Sequence, residues 1–367
     1  MMPKATACFV CSMLFAVVCN GQEPKQYVID SNSFRPRSYI CQQTKQGINI
    51  DGSLEDEDWQ RVPWTELFVD IEGEKKSDPP LTTRVKMLWD SHYIYFGAEL
   101  EEPHIWGNLR QRDTVIFHDN DFEIFIDPTG DTHHYIEFEI NALGTIWDLM
   151  ITKPYRDNGL VLNGWDIHGI RHAVGINGTI NSPADRDSSW TVEVAIPLAS
   201  VKEACRGWQP RHGDVWRMNF SRVQWHTDIV NGCYVKRTNG EGKKLPEENW
   251  VWSPQGVIAM HQPETWGFVQ FSGTDAGSPA APFEMKNDEW VKWALRHIYY
   301  RQSDHLNRHG RVASLEELHM VQILCGELVL EPQLMMMGRS YQARIASTQN
   351  NGWWCIREDG YVWKESY

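Results

Sequence analysis

The chain has 367 residues, with 49 acidic against 35 basic side chains and a net charge of −14. That balance argues against a nucleic-acid partner, which needs a basic surface, and against anionic membranes and strongly acidic polysaccharides. The 18 tryptophans exceed ordinary usage: most must stabilise a core by leaving water, and the surplus is available to a binding surface.

The N-terminus reads as a targeting segment. Lys4 precedes an apolar run over residues 5–19, small residues come next, and cleavage is expected after Gly21. Lipid attachment at Cys19 is the alternative, although Val18 is bulkier than the residue a lipobox normally has there. The run is too short for a membrane span, so the mature protein is expected outside the cytoplasm: periplasmic, cell-surface or secreted. Cleavage leaves Cys41, Cys205, Cys233, Cys325 and Cys355, with no CxxC pair, which speaks against zinc. Bridges 205–233 and 325–355 are both open to an oxidising compartment, and buried free thiols are the simpler expectation.

Residues 22–37 show no period and are expected to be loose. A short strand and turn occupy 48–52, then a helical turn spans 54–59 with acids near its N-terminus. Residues 85–89 and 93–96 form a hairpin around Asp90-Ser91-His92. In the next hairpin Phe122, Ile124 and Ile126 alternate with Asp121, Glu123 and Asp127. Beyond the Asp127-Pro-Thr-Gly-Asp131 turn, Ile136, Phe138 and Ile140 alternate with Glu137, Glu139 and Asn141. Period two predicts one buried apolar face and one exposed face of carboxylates and an amide. Further strands are predicted at 190–196, 216–220 and 267–271. Many short strands between Gly, Pro, Asn and Asp loops predict a mainly β fold: a two-sheet antiparallel β-sandwich over 38–273. A linker is expected at 274–284. Residues 285–367 read as a small α+β module, with a helix over 288–306, a capping box at Ser314–Glu317 opening a second short helix, and a hairpin around Asp359-Gly360.

Six segments in fixed order carry a family resemblance: GINIDGSLEDEDW, VKMLWDSHYIYFGAELEEPHI, RDTVIFHDNDFEIFIDPTGD, YIEFEINALG, WTVEVAIPLASV and GDVWRMNFSRV. Over residues 48–271 the chain resembles the family 9 carbohydrate-binding module, a β-sandwich attached to xylanases and related hydrolases. The resemblance implies non-covalent capture of an oligo- or polysaccharide end between two tryptophans, polar contacts from acids and amides, and structural calcium. The position matching the first clamp tryptophan is Phe117, the acid within the following strand is Glu123, and Glu139 stands where an arginine is expected.

The motifs do not place the second aromatic wall. Alternation over 216–225 puts Trp216, Met218 and Phe220 inward, with Arg217, Asn219 and Trp225 outward, and an outward ring beside polar neighbours suits a pyranose. Trp250 and Trp252 share one strand face and are the other candidates. The expected saccharide site is therefore Phe117, Glu123, Glu139, Asn141 and Trp225 with Trp250 or Trp252. Asp127 and Asp131 are candidate calcium ligands, with a plain hairpin turn as the alternative.

Two rival functions remain. Glu123, Glu137 and Glu139 on facing strands suit a glycoside hydrolase in spacing, but a hydrophilic strand face offers nothing to raise one acid's pKa. A surface scaffold without ligand is the second rival. No phosphate loop and no GxSxG elbow is present.

Overall fold

In a computed structural model describing residues 26–205, 207 and 209–366, the period-two segments fold as strands. The targeting segment lies outside the described residues. Strand Asp121–Asp127 pairs antiparallel with Tyr135–Asn141, with Glu123 directly opposite Glu139 and Phe122 opposite Ile140. On its other side Asp121–Asp127 pairs with Val215–Gln224, which sets Ser221 against Glu123. Strand Thr83–Trp89 pairs with Tyr93–Glu101, and that with Ser189–Pro197. One hydrogen-bonded path connects all of these, passing through Ser38–Gln43, which runs parallel to both its neighbours.

The path folds over into two layers. Phe96 meets Phe220 at 5.7 Å between ring centroids, and Phe138 meets His172 at 6.5 Å, each pair bridging strands distant along the path. Between the layers lies the main core, which includes Phe122, Ile124, Ile126, Ile136, Phe138 and Ile140. Each side chain of this kind contributes roughly 1.5–3 kcal/mol by leaving water.

The opposite face of the same hairpin is not wet. Asp121, Glu123, Asp127, Glu137, Glu139 and Asn141 are all buried, as are Arg217, Asn219 and Ser221 on the neighbouring strand. An outer apolar cluster of Phe125, Tyr135, Leu149, Ile151 and Trp266, with Met260 and Trp147 packed against it, lies on this side. The expectation of an exposed acidic face is thus corrected. Alternation separates two faces but does not report what packs on either, and a sheet covered on both sides hides both.

The C-terminal module is built on helix Asn287–His309, which carries Asp288 and Glu289 in its first turn, Arg308 and His309 in its last, and ends on Gly310 at φ 71°. Four strands, Gln333–Met337, Ser340–Ala346, Trp353–Arg357 and Val362–Glu365, form its sheet in chain order. The last two are the hairpin expected around Asp359-Gly360. The capping box closes, Ser314 N–H donating to Glu317 Oε2 at 2.9 Å, but the residues it opens form a turn, not a helix. Residues 22–37 are not loose where described: strand Tyr27–Ile29 pairs with Ile323–Cys325, and Phe34 stacks on Trp293 at 4.5 Å. All five described cysteines are free, four of them buried and Cys233 exposed. Among the described residues no helix is long and apolar enough to cross a membrane.

Candidate functional site

Phe117 lies in the 3-10 turn Ile116–His118, immediately before the acid-bearing strand. Its N–H donates to Glu139 Oε2 at 3.0 Å, and its carbonyl accepts from Trp225 Nε1 at 2.8 Å. Trp225 leaves the end of strand Val215–Gln224, and its own N–H donates to Asn120 Oδ1 at 2.8 Å. Backbone and side-chain hydrogen bonds therefore tie together three residues that the sequence keeps far apart. Trp106, Val223 and Tyr234 complete this cluster. Lys236, from the hairpin Thr227–Val230/Cys233–Lys236, places its ammonium 3.2 Å from the Trp225 ring centroid. Burial pushes the Lys236 pKa down to about 8, with Lys244 adding to the effect, while Asp119, Glu247 and Asp121 oppose it.

Three expectations about aromatic walls are corrected. Trp225 is 9 % exposed and packs beside Phe117 rather than standing outward in solvent. Trp250 and Trp252 both belong to the main core. Trp252 is fully buried with its Nε1 donating to Glu66 at 3.1 Å, and Trp250 packs against the Arg222 guanidinium at 5.1 Å. Tryptophan released by the end of a strand finds apolar neighbours more cheaply than it faces water. Arg217 and Asn219 do lie on the face opposite Trp216, Met218 and Phe220, but both are buried: Arg217 packs 3.9 Å from the Phe268 ring, and Asn219 brackets Ser253.

Asn141 is consumed by the fold. Its Nδ2 donates to the Leu109 carbonyl and Asp119, and its Oδ1 accepts from Leu143 and Thr145, so it holds two loops rather than a ligand. The turn likewise accounts for Asp127 and Asp131. Asp127 accepts from the N–H of Gly130 at 2.9 Å and of Thr132 at 2.8 Å, and Asp131 from the N–H of His133 at 2.8 Å. These are hairpin-closing contacts, and among the described residues neither joins a convergent group of three His, Cys, Asp or Glu side chains. The hairpin turn alone therefore accounts for both acids, as the alternative reading of this motif expects.

The convergent acids lie at the other end of the hairpin. Asp121, Glu123 and Glu139 offer carboxylate oxygens within 4.8 Å of one another, and Glu137 shares their face. Burial pushes the Glu123 pKa up to about 7, with Ser221 opposing it and Glu247 reinforcing it. Burial also drives Asp121, Glu137 and Glu139 well above the usual carboxylate range, and their mutual repulsion adds to it. The premise that nothing raises these acids was wrong, because it took the face to be solvated. Sequence reasoning missed Asp121, Ser221 and Lys236 as members of the cluster. Asp121 and Glu123 alternate on one strand, so Asp121 was within reach of the pattern; nothing local marks Lys236.

Residues 50–216 match the family described as carbohydrate family 9 binding domain-like. No curated protein matches the chain. Among solved structures, a candidate carbohydrate-binding protein from Bacteroides uniformis is 15% identical with a TM-score of 0.47, the alignment covering 65% of this chain and 100% of that one. A family 9 carbohydrate-binding module from Caldicellulosiruptor kristjanssonii in complex with cellotriose is 14% identical with a TM-score of 0.38, covering 68% and 100%. The same organism's module in complex with glucose is 13% identical with a TM-score of 0.37, covering 67% and 100%.

Proposed function

We propose, from the match of residues 50–216 to the carbohydrate family 9 binding domain-like family, that this protein captures a saccharide non-covalently, as an exported component of polysaccharide breakdown. The site proposed is the packed pair Phe117 and Trp225 with the buried acids Glu123 and Glu139 beside it. The observation that carries the reading is the run of hydrogen bonds from Glu139 to Phe117 to Trp225, which sets two aromatic rings beside acids able to accept from sugar hydroxyls.

Lys236 now covers one face of Trp225, so a pyranose stacking there displaces the ammonium or takes a hydrogen bond from it. A shallow aromatic site of this kind binds with roughly micromolar to millimolar Kd, about −4 to −8 kcal/mol. The glycosidase alternative requires one acid held protonated beside one held ionised. Here burial raises all four carboxylates, so the preference for binding without cleavage rests on the family match, and product release from a polysaccharide, expected to be absent, is the assay that separates the two.

Calorimetric titration with neutral gluco-, xylo- and manno-oligosaccharides tests the reading. At least one series is expected to bind, and Trp225→Ala to raise its Kd by about tenfold or more, equivalent to about 1.4 kcal/mol. Phe117→Ala, at a half-buried position outside the main core, is expected to weaken binding without unfolding the domain. Silence across the panel, or unchanged affinity in both variants, would overturn it.

A further inference from the structure

We propose that the seam between the sandwich and the C-terminal module holds a second ligand site, one that takes a neutral oligosaccharide. A cleft of about 800 Å³ opens there, lined by Val215 and Phe268 of the sandwich, Phe283 ahead of the long helix, and Trp354 of the module. A smaller hollow of about 340 Å³ adjoins it and shares Asp214, Val215, Trp354 and Lys364. Sites for small molecules span roughly 300–1,000 Å³, so the seam has room for a ligand.

The rings of the cleft are held in place. Trp354 is half-buried, and its Nε1 donates to Asp288 Oδ2 at 2.8 Å. Asp288 is itself buried and accepts also from the Ser347 hydroxyl and the Thr348 N–H, each at 2.8 Å. Burial alone would raise this acid, but the hydrogen bonds from Trp354, Ser347 and Thr348 outweigh it and hold its pKa at about 2, so the anchor stays charged. With its N–H taken up, the indole presents a ligand with its ring. Phe283, also half-buried, stacks on Phe268 at 5.1 Å between centroids.

The polar lining selects the ligand class. The ammoniums of Lys292 and Lys364 lie 4.9 Å and 5.2 Å from the Trp354 centroid, and each already has an acid, Glu289 for the first and Asp288 for the second. Four carboxylates and three ammoniums line the larger cleft, which leaves no surplus positive charge to hold a phosphate or a uronate. The side-chain amides of Gln270 and Gln349 make no hydrogen bond to another described residue, so their donors and acceptors are open to hydroxyls.

This site is separate from the pair Phe117 and Trp225 and does not depend on it. Strand Val215–Gln224 begins at the cleft and ends beside Trp225, and its ten residues at about 3.3 Å each set the two sites roughly 30 Å apart. Only a long chain engages both, and its second contact then gains from effective concentration.

Calorimetry on the full chain with neutral gluco-, xylo- and manno-oligosaccharides tests the proposal. Trp225→Ala is expected to retain one saturable site per chain. Adding Trp354→Ala to it is expected to weaken that site at least tenfold, and adding Gln349→Ala instead, at an exposed position, at least threefold with an unchanged melting temperature. Loss of all binding in Trp225→Ala would overturn the cleft and leave the first site standing. Residual binding that neither cleft substitution moves would overturn it too. Binding indifferent to Trp225→Ala and Phe117→Ala but lost in Trp354→Ala and weakened in Gln349→Ala would support the cleft and remove the first site. Silence across the panel would overturn both.

Discussion

Replacing Trp252 by alanine is expected to destabilise the protein by about 3–5 kcal/mol, the range for deleting a large buried aromatic ring. The ring is fully buried, lies 5.7 Å from Phe220 between centroids, and rests on the backbone at Gly267, where an added Cβ would come within 2.3 Å of it. Nothing small can refill that space without moving a strand of the main sheet. Urea unfolding measures the loss as a lowered midpoint at unchanged slope. A surface platform for sugar would behave differently, losing affinity while stability stayed within about 0.5 kcal/mol. That second outcome would reinstate Trp252 as a wall of the binding site.

Glu264→Gln is expected to cost about 3 kcal/mol near neutral pH, the low end for breaking a buried ion pair because Arg156 is partly exposed. Glu264 is where the sandwich and the module are electrostatically joined. Arg156 lies 2.7 Å from its carboxylate, and the Tyr300 hydroxyl, on helix Asn287–His309, donates to it. Burial alone would raise this acid, but Arg156, Arg296 and the Tyr300 hydrogen bond outweigh it and hold its pKa at about 2 against an ordinary 4.5. A folded pKa below the unfolded one means that the contribution is present above 4.5 and disappears as pH falls towards 2. Wild-type stability should therefore drop across that window more steeply than that of Glu264→Gln. Parallel pH profiles for the two proteins would show that the carboxylate contributes no linkage.

Much of the architecture was legible because strand periodicity is local. Phe122, Ile124 and Ile126 needed only their spacing to be assigned to one face, and that face is the core. The terminal hairpin was legible from Asp359-Gly360, since such a turn restricts the backbone within a few residues. The capping box at Ser314 was read correctly as chemistry and wrongly as a helix. A reciprocal cap satisfies donors at one end, and the turn after it lacks the length that would make a helix persist.

The candidate site was only partly legible. Phe117, Glu123 and Glu139 came from the ordered motifs, and Trp225 from strand alternation; all four are gathered in one place. Trp250, Trp252 and Asn141 were drawn in by residue type, and packing removed them, because a large ring or an amide takes whichever partners the surrounding chain presents.

By itself the amino-acid order determined the main strands, their inward apolar sides, the acidic balance and the match of residues 50–216 to the carbohydrate family 9 binding domain-like family. Only the tertiary structure decided that the acid-bearing side is dry, that residues 260–266 lie across it, and that Tyr27–Ile29 completes a sheet with Ile323–Cys325. Periodicity is a property of neighbours along one chain, whereas burial is set by whichever distant segment lands on a face. An alternating strand carries no record of that partner.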